Sequence, residues 1–303
     1  MTLFFTIKYG GRVMKWQGRR QSSNVDDRRG QRPMGGGGFG GGGMKLGGGS
    51  LILLLLVFLL SGGNLGSVLD MMGGRDSQQV QNIEYKATQE EEELKAFSAT
   101  VFADLEDVWT DIFKQNNRNY TLPKLVIYSG AVSSGCGNAS SDVGPFYCSV
   151  DQSVYVDLSF YNQLKSQFKA PGDFAFAYVL AHEVGHHVQN ELGILQQVHD
   201  YRSKVSQKQY NELSVRMELQ ADYFAGVFAK YIQGEGYLEE GDIEEAIRAA
   251  GAVGDDSIQE SMTGRVNPDT FTHGTSEQRM RWFMKGFQQG TIQDGDTFNT
   301  NDL

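Results

Sequence analysis

Ala181-His182-Glu183-Val184-Gly185-His186-His187 is the stretch on which the reading of this chain turns. It contains HExxH. The surrounding residues 173–192 carry apolar side chains at Phe174, Phe176, Ala177, Val179, Leu180, Val184 and Val188, which predicts a helix with a side able to bury. Asp173 in Gly172-Asp173 reads as its N-cap, and Gly193 offers a stop. Four residues make about one helical turn, so His182 and His186 project from one face. Two imidazoles so placed can hold one metal ion, and zinc suits them. Glu183 lies beside that face, placed to take a proton from an activated water rather than to bind metal. The implied chemistry is hydrolysis of an amide bond. The plainer alternative, an amphipathic helix with surface histidines, fits poorly with so apolar a setting.

A catalytic zinc usually has three protein ligands and one open position. The extension HExxHxxGxxH would supply a third histidine, but Gln189 and Leu192 stand at its Gly and His positions. A better source is Ser214-Val-Arg-Met-Glu218-Leu-Gln-Ala-Asp222-Tyr-Phe-Ala-Gly. Glu218 and Asp222 are again four apart and share a helix face. One can bind metal while the other orients a ligating imidazole through its second nitrogen. An ordinary solvated acidic face is the alternative. Against it stand Leu219, Ala221, Phe224, Ala225, Val227 and Phe228, because acids buried among such residues need partners.

HExxH followed some thirty residues later by Glu-x-x-x-Asp resembles the gluzincin metallopeptidases. Glu218-Leu-Gln-Ala-Asp222 is similar to the motif of membrane-bound CAAX-type and heat-shock-type zinc endopeptidases. Thr272-His273-Gly-Thr-Ser-Glu-Gln-Arg279 resembles the Thr-His-Pro segment of those enzymes, with the same step from His to Arg and with Gly274 in place of Pro. From about Met14 to the C-terminal region the chain most resembles the bacterial neutral zinc metallopeptidase family. The resemblance implies His182, His186 and Glu218 as ligands of one zinc ion per chain and Glu183 as general base. It implies Asp222 as the partner of a ligating histidine and His273 as a hydrogen-bond donor to the developing oxyanion. A helix-start or surface histidine is the alternative for His273. Arg279 is a candidate partner for Asp222 or brace for the His273 segment, with a surface arginine as the plain reading. His187 points away from the metal face, and His199 reads as a solvent histidine beyond the helix end.

The chain has 303 residues and a net charge of −10, unevenly spread. Residues 1–45 carry a balance of +7 and the remainder −17, which suggests a basic tail joined to an acidic domain. Residues 46–69 hold no charge, and residues 51–60 are continuously apolar. The ten-residue core alone is too short to span a bilayer, but the whole stretch of 24 is long enough. No A-x-A cleavage site is evident after it, which favours an uncleaved single-span anchor over a signal peptide. Positive charge before the span then places the N-terminus in the cytoplasm and the catalytic domain in the periplasm or outside the cell. Cys136 and Cys148 read as a disulfide closing a short loop, as suits an exported domain. Metal binding by the two cysteines is the weaker alternative.

The organisation expected is a disordered basic tail over residues 1–34, a Gly-rich linker over 35–49 and a transmembrane anchor over 50–69. A linker over 70–83 and a metallopeptidase domain over 84–303 follow. Met14-Lys-Trp looks like the usual family start, which makes residues 1–13 a candidate extension. Arg28-Arg29-Gly-Gln-Arg32 invites a nucleic-acid reading, but electrostatic orientation at a membrane explains it more plainly, and no nucleic-acid partner is expected. Helices are expected over residues 90–115, 173–192, around Glu218–Asp222, over 242–252 and over 276–289. Strands are expected over 123–128 and 153–158. In gluzincin-like folds an edge strand pairs with the extended substrate, and residues 153–158 are the candidate, an internal strand being the alternative. The fold class is α+β: a mostly helical zincin-like domain with a small sheet. The expected function is a membrane-anchored zinc endopeptidase acting on peptide or protein substrates. The alternatives are a non-catalytic zinc-containing scaffold and a zinc amidase acting on cell-wall peptides.

Overall fold

In the computed structural model, which describes residues 14–33, 80–82 and 85–303, helix α1 (Gln89–Gln115) opens on a capping box. The Thr88 hydroxyl accepts from the Glu91 N–H, and the Glu91 carboxylate accepts from the Thr88 N–H. Leu94, Phe97, Val101, Leu105, Val108, Trp109 and Ile112 form its buried stripe. Short helices α2 (Phe160–Ser166) and α4 (Ile194–Tyr201) flank the HExxH helix α3 (Asp173–Glu191). Then come α5 (Gln207–Gly234), α6 (Asp242–Ala252), α7 (Asp255–Thr263) and α8 (Ser276–Gln289). Capping boxes also start α5, through Ser206 and Gln209, and α8, through Thr275 and Gln278.

Helix α3 is buried on nearly every face, because α1, α5 and α6 all pack on it. Asp173 is not its N-cap. Gly172 holds that position with φ 133°, and the Phe174 N–H is satisfied from another helix by Glu245 Oε2 at 3.0 Å. That frees the Asp173 carboxylate for the N-terminal segment.

Beside the helices lies a four-stranded sheet in the order β1-β4-β8-β7, comprising Val25–Asp27, Lys124–Tyr128, Ser153–Asp157 and Phe146–Cys148. The first three are parallel and β7 is antiparallel to β8. Leu125, Ile127, Val154 and Val156 face the helical core. Val126, Tyr128 and Tyr155 face a smaller cluster closed by the hairpin β5–β6 (Ala131–Ser134 and Gly137–Ser140). Burial on both faces explains why β8 is buried throughout despite its alternating sequence. The expectation that β8 is the substrate-pairing edge is overturned: it lies inside the sheet. Among the described residues the edge on that side is β7.

The disordered tail expected over residues 1–34 is also corrected. Residues 14–33 fold onto the domain. Met14 is 1% exposed and sits in the main core, and Trp16 meets Phe97 edge-on. Strand β1 pairs with β4, with Asp26 opposite Val126. Strand β2 (Gln31–Pro33) pairs antiparallel with β3 (Val80–Asn82). Basic side chains of this segment pair with acids: Lys15 with Glu239, Arg19 with Asp104, Arg20 with Glu106 and Asp107, Arg28 with Asp26, and Arg29 with Asp27 and Glu92. The domain therefore starts well before residue 84.

The span expected over residues 50–69, with the linkers 35–49 and 70–83 beside it, lies outside the described residues apart from residues 80–82. Among the described residues no helix is long and apolar enough to cross a membrane. Residues 14–33 share a sheet and a core with the helices.

Candidate metal centre

Helices α3 and α5 meet at Gly185, the second x of HExxH. A Cβ there would lie 2.9 Å from the Ala221 carbonyl oxygen, so only glycine allows this approach. The approach carries Glu218 to the histidines. One donor atom each from His182, His186 and Glu218 lies within 4.8 Å of the others. Glu218 Oε2 is 3.1 Å from His182 Nε2, and Oε1 is 3.5 Å from His186 Nε2. Two imidazoles and one carboxylate in a buried cluster match the donor chemistry of a catalytic zinc site. The residues present fit that ion.

Each histidine of the cluster is held from behind. His182 Nδ1–H donates to Asp222 Oδ1 at 2.9 Å. Asp222 is fully buried yet satisfied, accepting from the Tyr178 hydroxyl at 2.5 Å, Arg279 Nε at 2.8 Å and Arg279 Nη2 at 3.0 Å. His186 Nδ1–H donates to Gln189 Oε1 at 2.9 Å, and Gln189 Nε2 donates to the Met217 carbonyl at 2.6 Å. Arg279 is thus no surface residue: it pairs with Asp222 and also reaches the Val253 carbonyl. Tyr178 and Gln189 escaped the sequence reading. Gln189 was visible only as the residue that breaks a longer motif.

The charges reinforce one another. Burial opposes ionisation of Glu218, but His186 and His182 hold it well below the usual carboxylate range. Burial alone would lower His182, yet Asp222 and Glu218 raise it to about 9. Asp222 is lowered to about 2, because Arg279 and His182 outweigh its burial. Glu183 goes the other way: burial raises its carboxyl, and the neighbouring histidines only partly offset this. A raised carboxyl holds a proton more readily than an ordinary glutamate, as a general base and acid must.

His273 lies in the wall of the same cleft. Asp255, at the start of α7, accepts from the backbone N–H groups of Thr272, His273 and Gly274 and from His273 Nδ1 at 3.0 Å. That commitment leaves Nε2 as the atom available to a ligand. Gly274 has φ 89°, which proline cannot adopt. The departure from Thr-His-Pro is therefore a real difference in backbone. Asp255 was missed because it lies far from His273 in sequence.

His187 is a core residue. Its Nε2–H donates to the Thr121 carbonyl at 2.7 Å, and Nδ1 accepts from the Tyr147 hydroxyl at 2.8 Å, which ties α3 to β7. Burial lowers its pKa. His199 lies past the end of α3, on α4, exposed at the rim of the cleft as expected. Cys136 and Cys148 form a disulfide, with Cα atoms 5.8 Å apart, and neither binds metal. The cleft encloses about 510 Å³ and is bounded by β7, the disulfide loop, α4 and the side chains of His182, His186 and Glu218.

A helix-borne HExxH completed by a glutamate from a second helix defines a gluzincin-type metal centre. The chain belongs to the family described as "Putative neutral zinc metallopeptidase", whose model matches residues 14–298, and the cofactor of that family is zinc. It is 47% identical to the "Uncharacterized protein YpfJ" of Escherichia coli (strain K12) over 286 residues, 94% of this chain and 99% of that one. It is 48% identical to the "Uncharacterized protein Rv2575" of Mycobacterium tuberculosis (strain ATCC 25618 / H37Rv) over 195 residues, 61% of this chain and 65% of that protein. No solved structure matches the chain.

Proposed function

We propose that the chain is a zinc-dependent endopeptidase in which His182, His186 and Glu218 hold the metal and Glu183 is the general base. The observation that carries this is the convergence of His182, His186 and Glu218, with Glu183 beside them, in one cleft bordered by β7, the edge of the sheet among the described residues. Zinc supplies Lewis acidity there, lowering the pKa of a water from 15.7 to about 7. An extended peptide would lie along β7, the sheet edge among the described residues, with its scissile bond across α3. Glu183 accepts the proton of the attacking water and then delivers it to the leaving amine. His273 Nε2–H donates to the carbonyl oxygen as negative charge develops. Asp222, fixed by Arg279 and Tyr178, keeps the His182 ring in register.

The test is cleavage of an unfolded protein by the zinc-loaded chain, with Glu183→Gln and a chelated sample alongside. We expect one zinc per chain in both proteins and a loss of activity of at least ~10²-fold in the variant. Equal cleavage by both would refute the role of Glu183. Zinc binding without cleavage would favour the scaffold reading, and release of products from muropeptides alone would favour the cell-wall amidase.

We further propose attachment to a membrane through residues 46–69, with the zinc domain on the non-cytoplasmic face. The uncharged apolar stretch and the disulfide support this. Strands β2 and β3 lie side by side, so both flanks of the stretch start on the domain's face. These paired flanks favour an attachment that would enter and leave on one side. Carbonate extraction should leave the protein in the membrane fraction, and tags at both termini should be digested together in opened cells. Digestion of only one tag would disprove this topology.

A further inference from the structure

We propose that the working chain begins at Met14 and that its α-ammonium group fills a three-carboxylate pocket formed by Asp173, Asp242 and Glu245. Ligand atoms of these three acids lie within 4.8 Å of one another, where helices α3 and α6 begin. The Met14 N–H donates into the cluster, to Asp173 Oδ2 at 2.9 Å, and the Met14 side chain is 1% exposed. Two carboxylate oxygens, Asp173 Oδ1 and Asp242 Oδ1, are buried without a hydrogen-bond partner among the described residues, and Asp242 as a whole is 1% exposed. Other oxygens are engaged: Asp242 Oδ2 accepts the Glu239 N–H at 2.8 Å, and Glu245 Oε2 accepts the Phe174 N–H at 3.0 Å.

A peptide nitrogen carries one hydrogen, and a terminal ammonium carries three and a positive charge. One N–H serves Asp173 Oδ2, and two remain for the two orphan oxygens. Without that charge the acids are poorly placed, since burying anions without a counter-charge is unfavourable. Burial first, then neighbouring acids, push Asp173 and Glu245 up to about 7 and Asp242 to about 6. Nearby cations do not remedy this: Lys15 pairs with Glu239, and Arg248 only partly offsets the burial of Glu245. A divalent cation is the rival occupant of such a pocket. The Met14 N–H argues against it, because it places a hydrogen on an oxygen that a metal would need. The family match independently begins at residue 14, and the E. coli relative aligns over 99% of its own length with 94% of this chain. Met14 is also the residue type with which translation starts.

The experiment compares three zinc-loaded proteins: a chain begun at Met14, the same chain with one glycine ahead of Met14, and residues 1–303. Intact mass verifies each N-terminus, and thermal unfolding is measured for each with and without Asp242→Asn. The Met14 form should melt roughly 4–8 °C above the other two. Asp242→Asn should lower the melting temperature of the Met14 form and leave unchanged or raise that of the extended forms. A reversal of sign of this kind is not expected of a residue that merely packs. If Asp242→Asn does not fold in the Met14 form, the comparison with the added glycine decides. Equal melting of the three proteins would overturn the proposal. So would a millimolar calcium, magnesium or manganese salt that stabilises the extended forms by the same margin in an Asp242-dependent way, which would make the pocket a metal site.

Discussion

His182 is asked to do two things at once: present Nε2 to the metal cluster and keep Nδ1–H on Asp222. The second task rests on a carboxylate that also receives Tyr178 and Arg279 in full burial. Asp222→Asn removes the charge that Arg279 pairs with and leaves a buried guanidinium uncompensated. It should cost about 3–5 kcal/mol of stability and weaken zinc binding about 10–100-fold, read by urea unfolding and chelator competition. Arg279→Lys should reproduce part of both losses, since an ammonium cannot form the two-pronged pair. At this scale the clustering of these side chains was legible because it is written in helical periodicity: His182 with His186, Glu218 with Asp222. Tyr178, Gln189 and Asp255 were not, because their roles arise only through space. Tyr178 lies one turn ahead of His182, yet nothing local distinguishes it from a packing tyrosine.

Among the elements, the crossing of α3 and α5 sets the distance between the two halves of the metal site. Gly185→Ala would press a methyl group against the Ala221 backbone. The expected cost is about 1–3 kcal/mol of overpacking, with zinc affinity falling alongside stability because the same displacement moves Glu218. Zinc titration and unfolding of this variant should therefore change together. Their separation, with affinity intact and stability reduced, would show that the crossing does not set the site. The disulfide closes a separation of 12 residues at the cleft rim. Cys148→Ser should cost about 3 kcal/mol, a loss that reductant reproduces in the parent chain. The long helices were readable because their apolar stripes repeat over several turns. Strand β7 was not: three residues inside a loop rich in glycine and serine have no periodicity to show. The substrate edge was consequently assigned to β8, whose longer alternating run stood out while its neighbours on both sides did not.

For the molecule as a whole, the N-terminal segment decides what counts as the domain. Its charge was legible but its purpose was not, because arginines that bind a membrane and arginines that bind an acidic domain look alike in sequence. A protein cut to begin near residue 75 would lose β1 and the partners of Glu106, which accepts from Ser22 and Asn24 in the interior. It should aggregate or unfold at markedly lower urea concentration than one begun at Met14. The dependence of stability on pH carries the argument further. In a chain with residues ahead of Met14, Asp173, Asp242 and Glu245 have pKa values raised to about 7, 6 and 7 from 3.8, 3.8 and 4.5. The folded state then binds more protons than the unfolded state between these limits, so stability falls as pH rises from about 4 to about 7. Glu239 and Glu244 add to this through Asp242, while Arg248 opposes it at Glu245. With an ammonium at Met14 the sign of the local field changes. The amine, ordinarily near 7.7–8.0, is raised by three carboxylates. Its stabilisation is complete below its unfolded pKa and is lost only as pH climbs through the higher folded value. Unfolding free energies measured from pH 5 to 9 on zinc-loaded proteins should therefore diverge. The extended chain should weaken across the acid side of neutrality, and the Met14 form should hold its stability to about pH 8 before declining. Asp242→Asn should flatten both profiles toward a common curve, and parallel profiles in the two unsubstituted chains would contradict a buried terminal charge.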